Sequence, residues 1–105
     1  MPRLRLHHLV DFEFGEVLAW YAGLSPLAAE NFVLSFDAAL VKVQRHPTAN
    51  APWHPPFRRI RLVHFPYLLI FHADRRMTSV LALVHERREP RQTFSTLTQR
   101  KAEFG

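Results

Sequence analysis

The sequence predicts an α+β fold, β-α-α-β-β-β, in which a helical hairpin packs on one face of a small, mainly antiparallel sheet. Two segments of the first half repeat apolar residues with the period of a helix, and three runs of the second half are rich in β-branched and aromatic residues. A short alternating stretch precedes both groups. At 105 residues, the chain is predicted to form one domain over residues 1–105.

The first half is predicted to hold a strand followed by two helices. Residues 3–10 begin with leucines alternating with charged side chains, which is typical of a half-buried strand. From Asp11 the apolar spacing becomes that of a helix, with acids near the helix start, where the helix dipole favours them. A second helix is predicted with Ser25 as its N-cap, Pro26 at its first position and Pro47 as its stop. The tight turn between the helices predicts a hairpin.

The second half is predicted to supply most of the sheet. Residues 46–56 hold four of the eight prolines, so we expect an ordered loop without regular structure there. Three predicted strands follow, at residues 57–65, 67–73 and 78–86. The last two are apolar on both faces, which predicts a central position in the sheet. Residues 91–105 are predicted to form a short helix that docks through Phe94 and Leu97.

Positive charge is concentrated in the second half of the chain. Residues 1–50 carry four basic and five acidic side chains, whereas residues 51–105 carry ten basic and four acidic ones. The net charge of the whole chain is +5. Because clustered charge steers association, this asymmetry predicts an anionic partner, either nucleic acid or an acidic protein. A solvated basic surface is the alternative interpretation.

Several chemistries are disfavoured by composition. The chain has no cysteine, its seven histidines lack a metal-ligand spacing, and its three glycines form no phosphate-binding loop. We therefore expect neither a metal ion nor another cofactor. The apolar runs are far shorter than the roughly 20 residues that span a bilayer. The expected protein is soluble and cytoplasmic, without a membrane partner.

The candidate binding site is a group of cationic side chains. Arg59 and Arg61 lie two apart on one predicted strand, so both side chains should leave the same face of the sheet. His85, Arg87 and Arg88 follow the last predicted strand and are expected to approach the same region. Planar guanidinium groups bind phosphate and carboxylate through paired hydrogen bonds. The alternative is a set of solvated strand residues with local salt bridges of little energetic weight.

Three stretches of the sequence together resemble one known family. Residues 16–40, 57–71 and 80–90, the last reading VLALVHERREP, resemble successive signatures of the RelE/ParE toxin superfamily of bacterial type II toxin-antitoxin modules. Some members of this superfamily are named plasmid stabilisation protein. The resemblance covers about residues 3–92 and implies the same β-α-α-β-β-β fold. It also implies a small antitoxin partner with a disordered acidic or amphipathic tail that wraps the toxin.

The superfamily implies two alternative activities. RelE-like members are ribosome-dependent mRNA endonucleases, and ParE-like members inhibit DNA gyrase. The resemblance matches Arg59 and Arg61 to paired lysines of the nucleases, and Arg87 to an arginine on their last strand. Leu68 stands where the nucleases have a phosphate-binding arginine, and Phe94 lies near the place of their C-terminal tyrosine. Arginine, with a pKa above about 12, keeps the charge of a lysine but is a poor proton shuttle.

The resemblance therefore predicts a ParE-like toxin that inhibits a cytoplasmic target, with DNA gyrase as the expected target and a cognate antitoxin as the neutralising partner. The alternative is a RelE-like ribosome-dependent mRNA endonuclease. In that case Arg59, Arg61 and Arg87 would supply cations and His85 would act as the base. A binding module that has lost toxicity is a third alternative. The residue pattern favours a protein without catalytic chemistry.

Overall fold

The computed structural model describes residues 3–49 and 52–104, which form one five-stranded sheet with helices on both faces. The elements are β1 (Arg3–Leu6), α1 (His8–Leu24), α2 (Pro26–Arg45), β2 (Pro52–His54), β3 (Phe57–Arg61), β4 (Tyr67–Ala73), β5 (Met77–His85) and α3 (Pro90–Glu103). The strand order is β1-β5-β4-β3-β2, with β1 parallel to β5 and the other pairs antiparallel. This architecture confirms the predicted α+β fold class and the central position of β4 and β5.

The predicted helical hairpin is confirmed, and Ser25 defines the turn between its helices. The Ser25 side chain accepts a hydrogen bond from the Ala28 N–H at 2.9 Å, which caps α2. Its own N–H donates to the Tyr21 carbonyl at 3.0 Å and so closes α1. Pro26 follows at the first position of α2, where its missing N–H leaves no helical hydrogen bond unmade.

The first helix begins earlier than the sequence predicted. Its N-cap is His7, whose Nδ1 accepts from the Leu9 N–H at 3.1 Å, so α1 starts at His8 rather than at Asp11. The strand predicted over residues 3–10 correspondingly ends at Leu6. Histidine is an unusual cap, and the sequence pattern gave no reason to place a helix start beside it.

The prediction of an irregular segment over residues 46–56 was wrong in part. Residues 52–54 form β2, an edge strand that pairs antiparallel with β3. Proline is tolerated there because one side of an edge strand makes no ladder hydrogen bonds. Residues 50 and 51 of the predicted loop lie outside the described part of the chain.

The strand predicted over residues 57–65 also ends early, at Arg61. The chain then turns, with the Leu62 N–H donating to the Tyr67 carbonyl at 2.9 Å. His64 lies within this turn at φ 69°, in the left-handed region that residues other than glycine seldom adopt. β4 starts directly after the turn.

Apolar side chains fill both faces of the sheet. The hairpin covers one face with a core that includes Val10, Phe32, Phe36, Val43, Leu69, Val80 and Leu83. On the other face, α3 covers a smaller core built from Phe57, Leu68, Ile70, Leu81, Ala82, Val84 and Leu97. The predicted C-terminal helix is thus present. Leu97 is fully buried, whereas Phe94 stays 41% exposed with its ring 5.5 Å from that of Phe57.

An ion pair between the buried Arg100 and the partly buried Glu13 joins α1, β5 and α3. Both terminal nitrogens of Arg100 donate to the Glu13 carboxylate, at 3.0 and 3.1 Å. Arg100 also donates to the Leu81 carbonyl at 2.9 Å, and Glu13 accepts from the Leu83 N–H at 3.0 Å. β1 pairs only with Met77–Val80, so these two side chains bond the backbone of β5 where β1 has ended. The pair therefore connects α1 and α3, on the two faces of the sheet, to β5.

Thr78 carries a buried hydroxyl that should cost stability. The residue is fully buried on β5, and its Oγ1 has no hydrogen-bond partner within residues 3–49 and 52–104. Because an unpaired buried hydroxyl loses its hydration without compensation, we expect Thr78→Val to raise the free energy of unfolding by about 1 kcal/mol in urea titration. Thr93→Val is the matched control, since the buried Thr93 hydroxyl donates to the Glu89 carbonyl and its loss should destabilise. A loss of stability in Thr78→Val would contradict this account.

Candidate functional site

Arg59 and Arg61 leave the sheet on the face that α3 covers. In the β3–β4 register, Arg59 lies opposite Ile70 and Arg61 lies opposite Leu68. Ile70 and Leu68 both belong to the core under α3, and side chains directly opposite each other in an antiparallel pair share a face. Ile60, between the two arginines, packs instead against the hairpin-side core. The strand alternation predicted from the sequence is therefore present.

The two arginines line an open depression, here called the arginine groove. Its lining residues are Pro52, Trp53, Arg59, Ile60, Arg61, Leu68, Glu86 and Arg87. Leu68 is buried and Trp53 half-buried, whereas the charged side chains are exposed. The groove therefore combines an apolar surface with three guanidinium groups and one carboxylate.

Glu86 is the acidic member of the arginine groove. Its Oε2 accepts from Arg61 Nε at 2.9 Å, and this donation lowers the pKa of the Glu86 carboxyl below its ordinary value. Its backbone N–H donates to the Pro66 carbonyl at 2.9 Å, which fixes the residue beside the β3–β4 turn. Arg61 is thus held by an intramolecular carboxylate. Within residues 3–49 and 52–104, Arg59 and Arg87 form no ion pair with an acidic side chain.

Trp53 is a groove residue that sequence reasoning missed. The Arg59 guanidinium lies 5.6 Å from the centre of the Trp53 ring, within the range of a cation–π contact. The position of Trp53 depends on β2, the strand that the sequence pattern did not predict. A large aromatic residue shortly before a basic strand was the available signal.

His85 and Arg88 lie in a different place from the arginine groove. The His85 ring packs at 5.3 Å against Tyr67, which belongs to the hairpin-side core. His85 and Arg88 line a second depression, between α1 and the end of β5, together with Phe12 and Glu13. The chain at the end of β5 thus places Arg87 in the arginine groove, whereas His85 and Arg88 lie in the second depression. The structure brings together three of the five predicted residues, Arg59, Arg61 and Arg87.

Residues 3–49 and 52–104 contain neither a metal-binding cluster nor a membrane-spanning helix. Among residues 3–49 and 52–104, no three histidine, aspartate or glutamate side chains gather in a way that could hold a metal ion. Within the same residues, no helix has the length and apolar character needed to cross a bilayer.

Comparisons with known proteins converge on one type of protein, although no protein-family model matches the chain. The chain is 26% identical over 102 residues to Toxin ParE2 of Mycobacterium tuberculosis, in both strain CDC 1551 / Oshkosh and strain ATCC 25618 / H37Rv. Each alignment covers 96% of this chain and 97% of the relative. A solved structure titled "Chromosomal ParDE TA system from P. aeruginosa" superposes with a TM-score of 0.72 at 18% identity. That match covers 81% of this chain and 96% of the solved chain.

The fold is that of a ParDE toxin-antitoxin protein, a small sheet with a helical hairpin on one face. The sequence likeness adds to this similarity in fold, because it extends over nearly the whole of this chain and of Toxin ParE2. The chain is thus similar in sequence to a ParE toxin and in fold to a ParDE protein, in keeping with the resemblance that its sequence motifs predicted.

Proposed function

We propose that this chain is the toxin of a type II toxin-antitoxin module, acts by binding DNA gyrase, and is neutralised by a cognate antitoxin. The observation that carries the proposal is the likeness to Toxin ParE2 along nearly the whole of both chains. The arginine groove supplies the surface with which the protein grips an anionic partner.

The composition of the groove supports binding rather than RNA cleavage. Cleavage through a 2′-hydroxyl requires a group that accepts a proton and another that donates one. Among the described residues that line the groove, none is histidine, lysine or tyrosine. The groove's carboxylate, Glu86, is made a weaker base because Arg61 lowers its pKa. His85, the base required by the alternative RelE-like mechanism, packs against Tyr67 and lines the other depression.

The positive charge of the arginine groove also supports a role in binding an anionic partner. Three arginines converge on one groove, against one carboxylate, in the half of the chain that carries the excess of basic side chains. Guanidinium groups keep their charge at every physiological pH, which suits a permanent attachment site for carboxylates or phosphates. The groove is therefore suited to holding an anionic surface.

Induction of this chain alone in a bacterial host is expected to arrest growth, and co-induction of its cognate antitoxin is expected to restore growth. Growth should be followed by optical density and by colony counts, with soluble protein quantified in the same cultures. Unimpaired growth with soluble, folded protein present would contradict the proposal. Growth arrest accompanied by rapid cleavage of ribosome-bound mRNA would instead support the RelE-like alternative.

A further inference from the structure

The contact between Glu86 and Arg61 places a carboxylate of the protein's own chain in the arginine groove. The pair is exposed, with Arg61 51% and Glu86 36% accessible, and Arg61 Nε donates to Glu86 Oε2 at 2.9 Å. A guanidinium already occupied in this way has fewer donors available for a carboxylate from another molecule. The arrangement is that of an anion-binding site partly filled by an internal anion.

We propose that Glu86 is an internal competitor in the arginine groove, and that the ligand it competes with is an extended, acidic protein segment. The inference rests on the proposed function, because it takes the groove as the surface that grips a partner. Binding of the segment breaks the contact between Glu86 and Arg61 and frees Arg61 to donate hydrogen bonds to a carboxylate of the partner. Glu86 thereby lowers the affinity of the groove and raises its selectivity for segments that offer more than one acid.

The geometry favours an acidic protein segment over a nucleic acid. Arg59 and Arg61 are two residues apart on β3, about 6.6–6.8 Å along the strand, which equals the spacing of alternate side chains on an extended peptide. Leu68 and Pro52 give the groove an apolar surface that can contact a hydrophobic side chain between the acids. Trp53, the groove's aromatic ring, is already contacted by the Arg59 guanidinium and is therefore a poor platform for stacking bases.

The contact between Glu86 and Arg61 is also weak enough to be displaced. An exposed ion pair of this kind changes an equilibrium by about fivefold at most. The pair therefore tunes partner affinity without blocking the groove. Arg59 and Arg87, which form no ion pair among the described residues, provide the first attachment points.

The test compares Glu86→Gln with the parent in binding a labelled synthetic peptide. The probe is a peptide of about ten residues, with glutamates at alternate positions and one central leucine, followed by fluorescence anisotropy. Glu86→Gln is expected to bind it about fivefold more tightly than the parent, because the competing carboxylate is gone. Glu30→Gln is the matched control, since it makes the same charge change at an exposed position of α2 and should leave the affinity unchanged.

Three results would overturn the inference: no detectable binding of the peptide to the parent, equal affinities for the parent and Glu86→Gln, or an equal gain from Glu30→Gln. Tighter binding of a single-stranded oligothymidylate of the same charge would also overturn it and assign the groove to nucleic acid. The growth assay separates this inference from the proposed function. Growth arrest without the Glu86→Gln gain contradicts only the inference, and the gain without growth arrest contradicts only the proposed function.

Discussion

Replacing Arg100 by methionine is expected to lower the free energy of unfolding by about 3–5 kcal/mol, the usual cost of removing one partner of a buried ion pair. Arg100 is only 8% exposed, and its loss leaves the partly buried Glu13 carboxylate without its cation. The Leu81 carbonyl also loses a donor. Since a small domain is stable by about 5–15 kcal/mol in total, the change should be obvious in urea or thermal unfolding.

Arg91→Met is the matched control for this prediction. Arg91 lies on the same helix and is exposed, and its replacement removes the same charge. The free energy of unfolding of Arg91→Met should therefore stay within about 0.5 kcal/mol of that of the parent. Replacing Glu13 by leucine together with Arg100 by methionine should recover only part of the loss, because the Leu83 N–H then lacks its acceptor. If Arg100→Met and the parent have the same free energy of unfolding, the ion pair does not stabilise the packing of α1 and α3 on the sheet.

Replacing Arg59 and Arg61 together by alanine is expected to abolish growth arrest while leaving the fold intact. Charge-assisted hydrogen bonds contribute about 1.5–3 kcal/mol each, so losing both guanidiniums should weaken partner binding by at least about a hundredfold. Both side chains are exposed, so the thermal unfolding midpoint should change little. The measurement is growth after induction, with the soluble protein quantified in each culture.

Arg75→Ala with Arg76→Ala is the control for that double variant. These two exposed arginines lie just before β5, outside the arginine groove, and their removal lowers the net charge by the same amount. We expect this control to arrest growth as the parent does. If both double variants lose toxicity, general charge is responsible and the groove is not the binding surface; if neither does, the groove has no part in toxicity.

Much of the fold could be predicted because its signals are local. The Ser25-Pro26 pair specifies a helix start through its own backbone chemistry, and the continuous apolar runs of β4 and β5 identify strands buried on both faces. β2 could not be predicted because a strand of three residues beside prolines exists only through its pairing with β3. His7 likewise caps α1 with a residue type that carries no capping signal.

Strand alternation predicted the positions of Arg59 and Arg61, whereas of the three predicted residues at and after the end of β5 only Arg87 lies in the groove. Arg59 and Arg61 share a face because they lie on a regular strand, and the structure places them together. His85, Arg87 and Arg88 lie at the end of β5 and in the turn after it, where backbone hydrogen bonds rather than alternation direct each side chain. The pair formed by Glu13 and Arg100, 87 residues apart, has no local pattern at all.

The most direct test of the proposed function is the supercoiling of relaxed plasmid DNA by purified gyrase in the presence of this protein. The parent and the Arg75→Ala, Arg76→Ala control are expected to stop supercoiling, whereas the Arg59→Ala, Arg61→Ala variant is not. Purified ribosomes carrying mRNA, incubated with the same preparations, should keep their message intact. Undisturbed supercoiling together with cleaved mRNA would contradict the account and make the protein a ribosome-dependent nuclease.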